Sequence, residues 1–239
     1  MADENQFDFE PPSAETVARR ALILAAISYR GFVDLVTDDP KIPQRIATTT
    51  ASLTRLGLDA DMTPWEKDVL KTNLGALTPR DRINSSWVSE GLVVLAWALQ
   101  KSELPAFDDQ CDPHQVALSI GFTTPDGLAL LQNPRLRADS ELQEFGEFIY
   151  NVHWRLRDFS VSGRAYNFRS LATRARGEPI LRFGLQLSED DIATGGQSLS
   201  RAEPNARQNL TSITQERHRA SSWLLGLGSS DFYEASTDT

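Results

Sequence analysis

The stretch Trp87-Val-Ser-Glu90-Gly-Leu-Val-Val-Leu-Ala-Trp97-Ala-Leu99 decides the fold of this chain. Helical spacing places Trp87, Glu90 and Trp97 on one face, while leucines occupy the other faces. A helix that is apolar almost all the way round is normally buried at the centre of its domain. We therefore predict a mainly α fold that is built around this helix and carries a carboxylate in its wall.

A buried carboxylate needs a partner or becomes protonated. The last predicted helix offers a cation, because Arg217 interrupts its apolar stripe. We therefore predict that Glu90 and Arg217 contact each other or share a polar partner. One interpretation is a structural ion pair that fixes helix register, which we favour. The other is a site in which the pair lies at the base of a pocket lined by Trp87, Trp97 and Trp223.

Capping and proline signals mark most of the helix starts. The clearest is Thr63-Pro64-Trp65-Glu66, which has an N-cap threonine, proline at the first helical position and glutamate three residues after the cap. One predicted helix begins at Pro64. The other predicted helices extend over Ser13 to about Val36, Gln44 to Leu56, Pro79 through Leu99, 113–120, 125–132, Ser140 to Phe159, 164–175 and 204–225.

One segment changes from helical to strand periodicity. Leu181, Phe183, Leu185 and Leu187 alternate with other residues, and turn residues follow. We predict one small β-hairpin near 181–194. We predict that residues 13–239 form a compact multi-helix single domain, preceded by an acidic disordered tail at residues 1–12.

The overall charge excludes some partners. The chain of 239 residues has a net charge of -9, which argues against wholesale binding to nucleic acid or to an anionic membrane. Its apolar runs are too short to span a bilayer, and its N-terminus has no secretory pattern. Cys111 is the only cysteine, so no internal disulfide forms. These features predict a cytoplasmic protein.

Two histidines are candidates for acid–base chemistry. His153 lies on the shoulder of an apolar stripe and is either an acid or base facing a cleft or a satisfied residue at the core edge. His218 lies between Arg217 and Arg219, whose charges would disfavour its protonation. It is either a neutral base or a polar residue on a solvated helix face, and we favour the solvated face.

The densest set of possible metal ligands is Asp108, Asp109, Cys111, Asp112 and His114. Zinc sites typically use four ligands in paired spacings, and Cys111-x-x-His114 has no second pair of its kind. Asp112 before Pro113 instead indicates a helix cap. Because phosphate-loop and nucleophile-elbow motifs are also absent from the sequence, we expect no metal and no other cofactor.

Residues 153–182 hold seven arginines against two acidic residues. Aromatic residues are interleaved with them, a combination that can bind single-stranded nucleic acid. A solvated basic face that neutralises the acidic surface of the protein is the interpretation that we favour, so nucleic acid is an unlikely partner. The carboxylate of Asp238 is expected to dock on these arginines.

Four motifs occur in order along the chain. They are Trp87-x-x-Glu90-x-Leu-x-x-Leu-x-Trp97-Ala-Leu, Tyr150-x-x-His153-Trp154-x-Leu-Arg157, Glu216-Arg217-His-x-Ala220-x-x-Trp223-Leu and Ser236-Thr237-Asp238-Thr239. Together they resemble the domain of unknown function 4272 family of mostly bacterial proteins, from about Ala14 to the end. The resemblance implies no particular reaction. It implies a shared constellation of Trp87, Glu90, Arg217, Trp223 and Asp238.

The sequence favours a non-enzymatic binding or protein-interaction module, comparable to small acidic inhibitors or immunity proteins. Its partner would be another protein or a small polar ligand, with no membrane involved. The alternative is an enzyme that uses Glu90 with His153 or His218 as acid and base in a tryptophan-lined pocket. A second alternative is single-stranded nucleic-acid binding through residues 153–182.

Overall fold

The fold is mainly α-helical, as predicted. The computed structural model describes residues 9–122, 126–174 and 183–239. Within these ranges the helices are α1 (Ala14–Val33), α2 (Lys41–Arg55), α3 (Pro64–Lys71), α4 (Pro79–Ala98), α5 (Pro113–Ser119), α6 (Asp126–Gln132), α7 (Asp139–Ser162), α8 (Phe168–Arg174) and α9 (Pro204–Leu224). Short 3-10 turns occupy Asp59–Asp61 and Phe232–Glu234. No helix in this described part is long and apolar enough to cross a membrane.

The predicted caps form. The side chains of Ser13, Thr63, Thr78 and Asp112 each accept a backbone N–H from the first turn of the following helix, and Glu66 completes the capping box. Some boundaries differ from the prediction by a few residues. Helix α2 begins at Lys41, because proline in the first turn of a helix lacks only an N–H that would be unpaired anyway. Helix α1 ends at Val33 and helix α8 begins at Phe168, whereas α4 ends at Ala98, next to the predicted Leu99.

Contacts divide the chain into two compact units. The α1–α6 unit contains Ser13–Glu103 and Cys111–Leu136. The α7–α9 unit contains Leu104–Gln110 and Arg137–Thr239, together with the described residues before Ser13. The organisation as one domain over residues 13–239 stays a prediction. Of the predicted tail, residues 1–8 lie outside the described residues, and Phe9 donates its N–H to the Gly226 carbonyl at 3.2 Å.

Helices α1 and α4 form the centre of the α1–α6 unit. The stretch of α4 from Val88 to Leu99 is buried throughout, as the sequence predicts. A Cβ at Gly31 in α1 would lie 2.7 Å from the backbone nitrogen of Ser86 and 2.8 Å from the Cβ of Ser85. The absence of a side chain at Gly31 therefore allows the two helices to approach this closely.

A buried ion pair joins the end of α1 to the loop after α3. Arg30 donates to Asp34 at 2.6 Å and to the Asn73 carbonyl at 2.8 Å, and the N–H of Gly75 bonds to Asp34 at 3.0 Å. Both charged side chains are almost fully buried. This pair was not predicted from the sequence, although its spacing of four residues is a recognisable signal for a helical ion pair.

The α7–α9 unit is built on α7 packed against α9. The predicted stripe of α9, which consists of Leu210, Ile213, Arg217, Ala220 and Leu224, is buried. On α7, Phe145 and Phe148 contact the ring of Phe183, with centroids 5.2 and 5.0 Å apart. These contacts explain the apolar residue at position 183.

The small sheet has three antiparallel strands, β1 (Leu187–Ser188), β2 (Asp191–Thr194) and β3 (Gln197–Ser198). Glu189-Asp190 and Gly195-Gly196 form its two-residue turns, all with positive φ, as tight hairpins require. The hairpin near 181–194 is therefore present, but the strand predicted from 181 is wrong over 183–186, where Phe183 packs on α7 instead. Strand β3 was not predicted, and residues 181 and 182 lie outside the described residues.

Candidate functional site

A groove with a volume of about 740 Å³ opens in the α1–α6 unit. Small-molecule sites commonly have volumes of roughly 300–1,000 Å³. Three helices contribute one face each. The lining residues are Ala25, Ser28, Tyr29 and Phe32 of α1, Lys41, Gln44, Arg45, Thr48 and Thr49 of α2, and Pro113, His114, Ala117 and Leu118 of α5, followed by Phe122.

Helical periodicity explains why these residues share a surface. On α1 each lining position has another lining position three or four residues away, and the same spacing relates Lys41, Arg45 and Thr49 on α2. The lips carry large apolar side chains that face solvent, since Phe32 is 49% exposed and Leu118 is 48% exposed. The groove therefore combines an apolar wall with an open mouth.

Two hydroxyl groups in the wall have no acceptor for their protons among the described residues. The Oγ of Ser28, which is only 2% exposed, has no hydrogen-bond partner there, and the Tyr29 hydroxyl has Arg45 as its neighbour, which can only donate to it. Burial raises the pKa of the Tyr29 phenol above its usual range, although the nearby Arg45 opposes the shift. The phenol is therefore protonated at neutral pH and can donate a hydrogen bond. Buried polar groups without partners are uncommon in proteins and call for an explanation.

The mouth of the groove is cationic. Lys41 and Arg45 are exposed, His114 lies on the opposite lip, and the lining includes no aspartate or glutamate. The acidic residue Asp39 raises the pKa of the Tyr29 phenol. The Asp39 side chain also accepts the backbone N–H of Lys41 at 2.8 Å. This site was not predicted from the sequence, because its residues come from three separate helices.

The predicted site residues of α4 are Trp87, Glu90 and Trp97. Glu90 and Trp97 are buried and Trp87 is half-buried. Glu90 accepts the N–H of Cys111 at 2.8 Å, while the Cys111 thiol donates to the Ser89 carbonyl at 3.3 Å. The carboxylate thus attaches the segment before α5 to the central helix. None of these residues lines the groove.

The remaining predicted site residues lie in the α7–α9 unit. Arg217 is buried and donates to the carbonyls of Ala106 at 3.1 Å and Asp109 at 2.7 Å. Trp223 is also buried and donates its indole N–H to the Ser230 carbonyl at 3.0 Å. Asp238 is exposed, and its docking on the arginines of residues 153–182 stays a prediction. The pairing of Glu90 with Arg217 stays a prediction.

The two histidines form a buried pair. His153 and His218 approach through their Nδ1 atoms at 2.8 Å, and their rings are nearly perpendicular. Burial, with the charges of Arg157 and Arg219, lowers the pKa of His153 to about 4. Burial and then His153 lower the pKa of His218 to about 3.

The solvated face that the sequence predicts for His218 is wrong. His218 is buried because this face of α9 packs against α7. Its lowered protonation follows the predicted direction, but the main cause is burial rather than the adjacent arginines.

The candidate metal ligands are used in other ways. Asp112 caps α5, as predicted, by accepting the N–H groups of His114 and Gln115. Asp108 accepts the N–H of Gly195 at 3.3 Å in the α7–α9 unit. Over the described ranges, no group of three or more histidine, cysteine or acidic side chains is arranged to hold a metal ion.

The arginine-rich segment contains a core residue. Arg155 is fully buried and forms two bonds to Asp191, at 2.9 and 2.6 Å, and a third to Asp158 at 2.7 Å. Its guanidinium group therefore does not face solvent. Arg169 pairs with Asp190 at 2.7 Å in an exposed position. Arg176 and Arg182 lie outside the described residues.

A family model described as "Domain of unknown function (DUF4272)" matches residues 3–174. The chain belongs to this family. The groove lies entirely within the matched residues, whereas Arg217, Trp223 and Asp238 lie beyond them. No curated protein and no solved structure matches the chain.

Proposed function

We propose that this DUF4272 protein is a non-enzymatic binding protein and that the groove of the α1–α6 unit holds a small organic ligand. One observation carries the proposal: an apolar groove of ligand size has buried hydroxyls in its wall whose protons have no acceptor among the described residues. A ligand that filled the groove would cover exposed apolar side chains and satisfy these hydroxyls. We also propose a cytoplasmic location, which the single buried cysteine supports.

The histidine pair supports the non-enzymatic proposal over acid–base catalysis. Both rings are buried, and each Nδ1 is engaged by the other ring. A general acid or base must come within hydrogen-bond reach of a substrate proton. Only the Nε2 atom of each ring is left for such a contact, and the two residues are only 4% and 5% exposed. The enzyme with Glu90 and the nucleic-acid binder remain alternatives.

The test uses a neutral, polarity-sensitive dye such as Nile red with the full-length protein. We expect saturable binding with one dye per chain. Thr48 lies on the groove side of α2, so Thr48→Trp should fill the space and remove most of the binding. Ala47 is exposed on the same helix but does not line the groove, which makes Ala47→Trp the matched control.

Thermal unfolding of both variants establishes that they fold. Absence of saturable binding by the wild-type protein would contradict the proposal. Equal loss in the Thr48→Trp and Ala47→Trp variants would also contradict it, because the dye would then bind elsewhere.

A further inference from the structure

We propose that the groove selects an amphipathic organic anion, with its apolar body between α1 and α5 and its carboxylate at Arg45. This inference rests on the proposed function and adds the chemical class of the ligand. It follows from the placement of charge, hydroxyl groups and apolar surface around one cavity.

The charge at the mouth has one sign. Lys41 and Arg45 are four residues apart on α2, so they project from the same face. Because no acidic residue lines the groove, an anion there meets cations without a competing carboxylate in the wall. Asp39 lies beside the mouth, where its side chain bonds to the backbone of Lys41.

A hydrogen-bond donor lies next to the cation. The Tyr29 hydroxyl is buried beside Arg45, which can only donate to it, so the phenol proton has no acceptor among the described residues. A neutral phenol beside a guanidinium presents an O–H and a planar fork of N–H groups to one acceptor. This combination matches a carboxylate, which accepts two parallel bonds from arginine and still has lone pairs for the phenol.

The rest of the groove is apolar. Phe32 and Leu118 expose about half of their surface at the lips, and Ala25 and Phe122 are buried in the wall. An alkyl chain or an aromatic ring would cover these side chains and gain free energy in proportion to the area removed from water. A fully polar anion would leave them exposed, so the charged group needs an apolar body.

The experiment compares three probes of equal chain length that differ in the head group: decanoate, 1-decanol and decylamine, all below their aggregation concentrations. Binding to the full-length protein is measured by displacement of Nile red and by calorimetry. We expect decanoate to bind at least about tenfold more tightly than decanol, because one charge-assisted hydrogen bond contributes about this factor in affinity. Decylamine should bind more weakly than decanol. Added salt should weaken the binding of decanoate and not that of the other two probes.

Three variants locate the head group. Arg45→Gln should bring decanoate and decanol to nearly equal affinity, and Tyr29→Phe should weaken decanoate severalfold without changing decanol. Arg55→Gln is the matched control, because Arg55 is exposed on the same helix and does not line the groove. It should leave all three affinities unchanged.

The outcomes separate the two proposals. If decanoate and decanol bind equally to the wild-type protein, the anion inference is wrong and the groove proposal stands. If no probe binds, both are wrong. If Arg55→Gln weakens decanoate as much as Arg45→Gln does, the carboxylate is not held at Arg45.

Discussion

His153 and His218 share one hydrogen bond through their Nδ1 atoms, 2.8 Å apart, although they are 65 residues apart in the chain. One Nδ1 must carry the proton and the other must accept it, so the pair is stable only when at least one ring is neutral. Burial favours the neutral form of both rings, and the charges of Arg157 and Arg219 add to this effect at His153. The pair therefore couples the packing of α7 on α9 to pH.

Acid should destabilise the protein through this pair. The folded-state pKa values, about 4 for His153 and about 3 for His218, lie below the value of 6.5 for a free histidine. The unfolded chain therefore binds protons first, and the stabilisation present above pH 6.5 is lost as the pH falls towards 4. Each histidine contributes a slope approaching about 1.4 kcal/mol per pH unit.

Denaturant unfolding at several pH values between 7 and 4.5 measures this slope. The double variant His153→Gln/His218→Gln should flatten it, whereas His114→Gln, at an exposed position, should leave it unchanged. Parallel profiles for the wild-type protein and the double variant would show that the histidines do not titrate differently on unfolding.

The buried Arg155–Asp191 pair should be essential to the α7–α9 unit. Arg155→Met leaves the Asp191 carboxylate buried without its cation, which typically costs about 3–5 kcal/mol. Arg169→Gln removes the exposed pair with Asp190 and should cost only about 0–1 kcal/mol. The free energy of unfolding of both variants is measured by chemical denaturation. Equal losses of this free energy would contradict the distinction between the buried pair and the exposed pair.

Glu90 and Arg217 should be energetically coupled if the predicted pairing is right. Glu90→Ala is expected to cost on the order of 3 kcal/mol, because it strands a buried cation. A double-mutant cycle with Arg217→Ala should give a coupling energy of about 1 kcal/mol or more. The same cycle with Arg201→Ala, which removes an exposed side chain, should be additive. If the changes in unfolding free energy are additive in both cycles, the predicted pairing of Glu90 with Arg217 is wrong.

Gly31→Ala should weaken the packing of α1 on α4. The new methyl group would meet the backbone of Ser86, which cannot rotate away, at an expected cost of about 1–3 kcal/mol. Gly146→Ala is the comparison, because its methyl would meet the flexible end of the Leu225 side chain. We expect a clear fall in melting temperature for the first variant and a small change for the second. The reverse order would show that α1 and α4 are not packed this tightly.

The C-terminal segment should contribute to stability through Phe232. This segment packs against its unit, since Phe232 is buried edge-on against Trp223 and the N–H of Ser236 bonds to the Leu227 carbonyl at 3.3 Å. Phe232→Ala should cost about 3–5 kcal/mol.

Asp238 serves as the control for this segment. It is exposed, so Asp238→Asn should change stability by less than about 0.5 kcal/mol. Deletion of residues 231–239 without loss of stability would contradict the docking. Tight, steeply salt-dependent RNA binding by the full-length protein would instead favour the nucleic-acid alternative.

Local chemistry explains which parts of the fold could be predicted. Ser13, Thr63, Thr78 and Asp112 mark helix starts because each cap bonds within three residues of itself. The composition of α4 determined its central position, since so many apolar side chains can be covered only from several sides. These features depend on neighbours in sequence, so the sequence by itself determined them.

Tertiary structure alone decided the groove and the histidine pair. The groove needs one face each of α1, α2 and α5, and His218 is buried because α9 turns that face towards α7. The strand expected from residue 181 failed for a similar reason, because Phe183 finds its partners on α7. Which distant faces meet depends on the packing of whole helices, and no local pattern of residues specifies that packing.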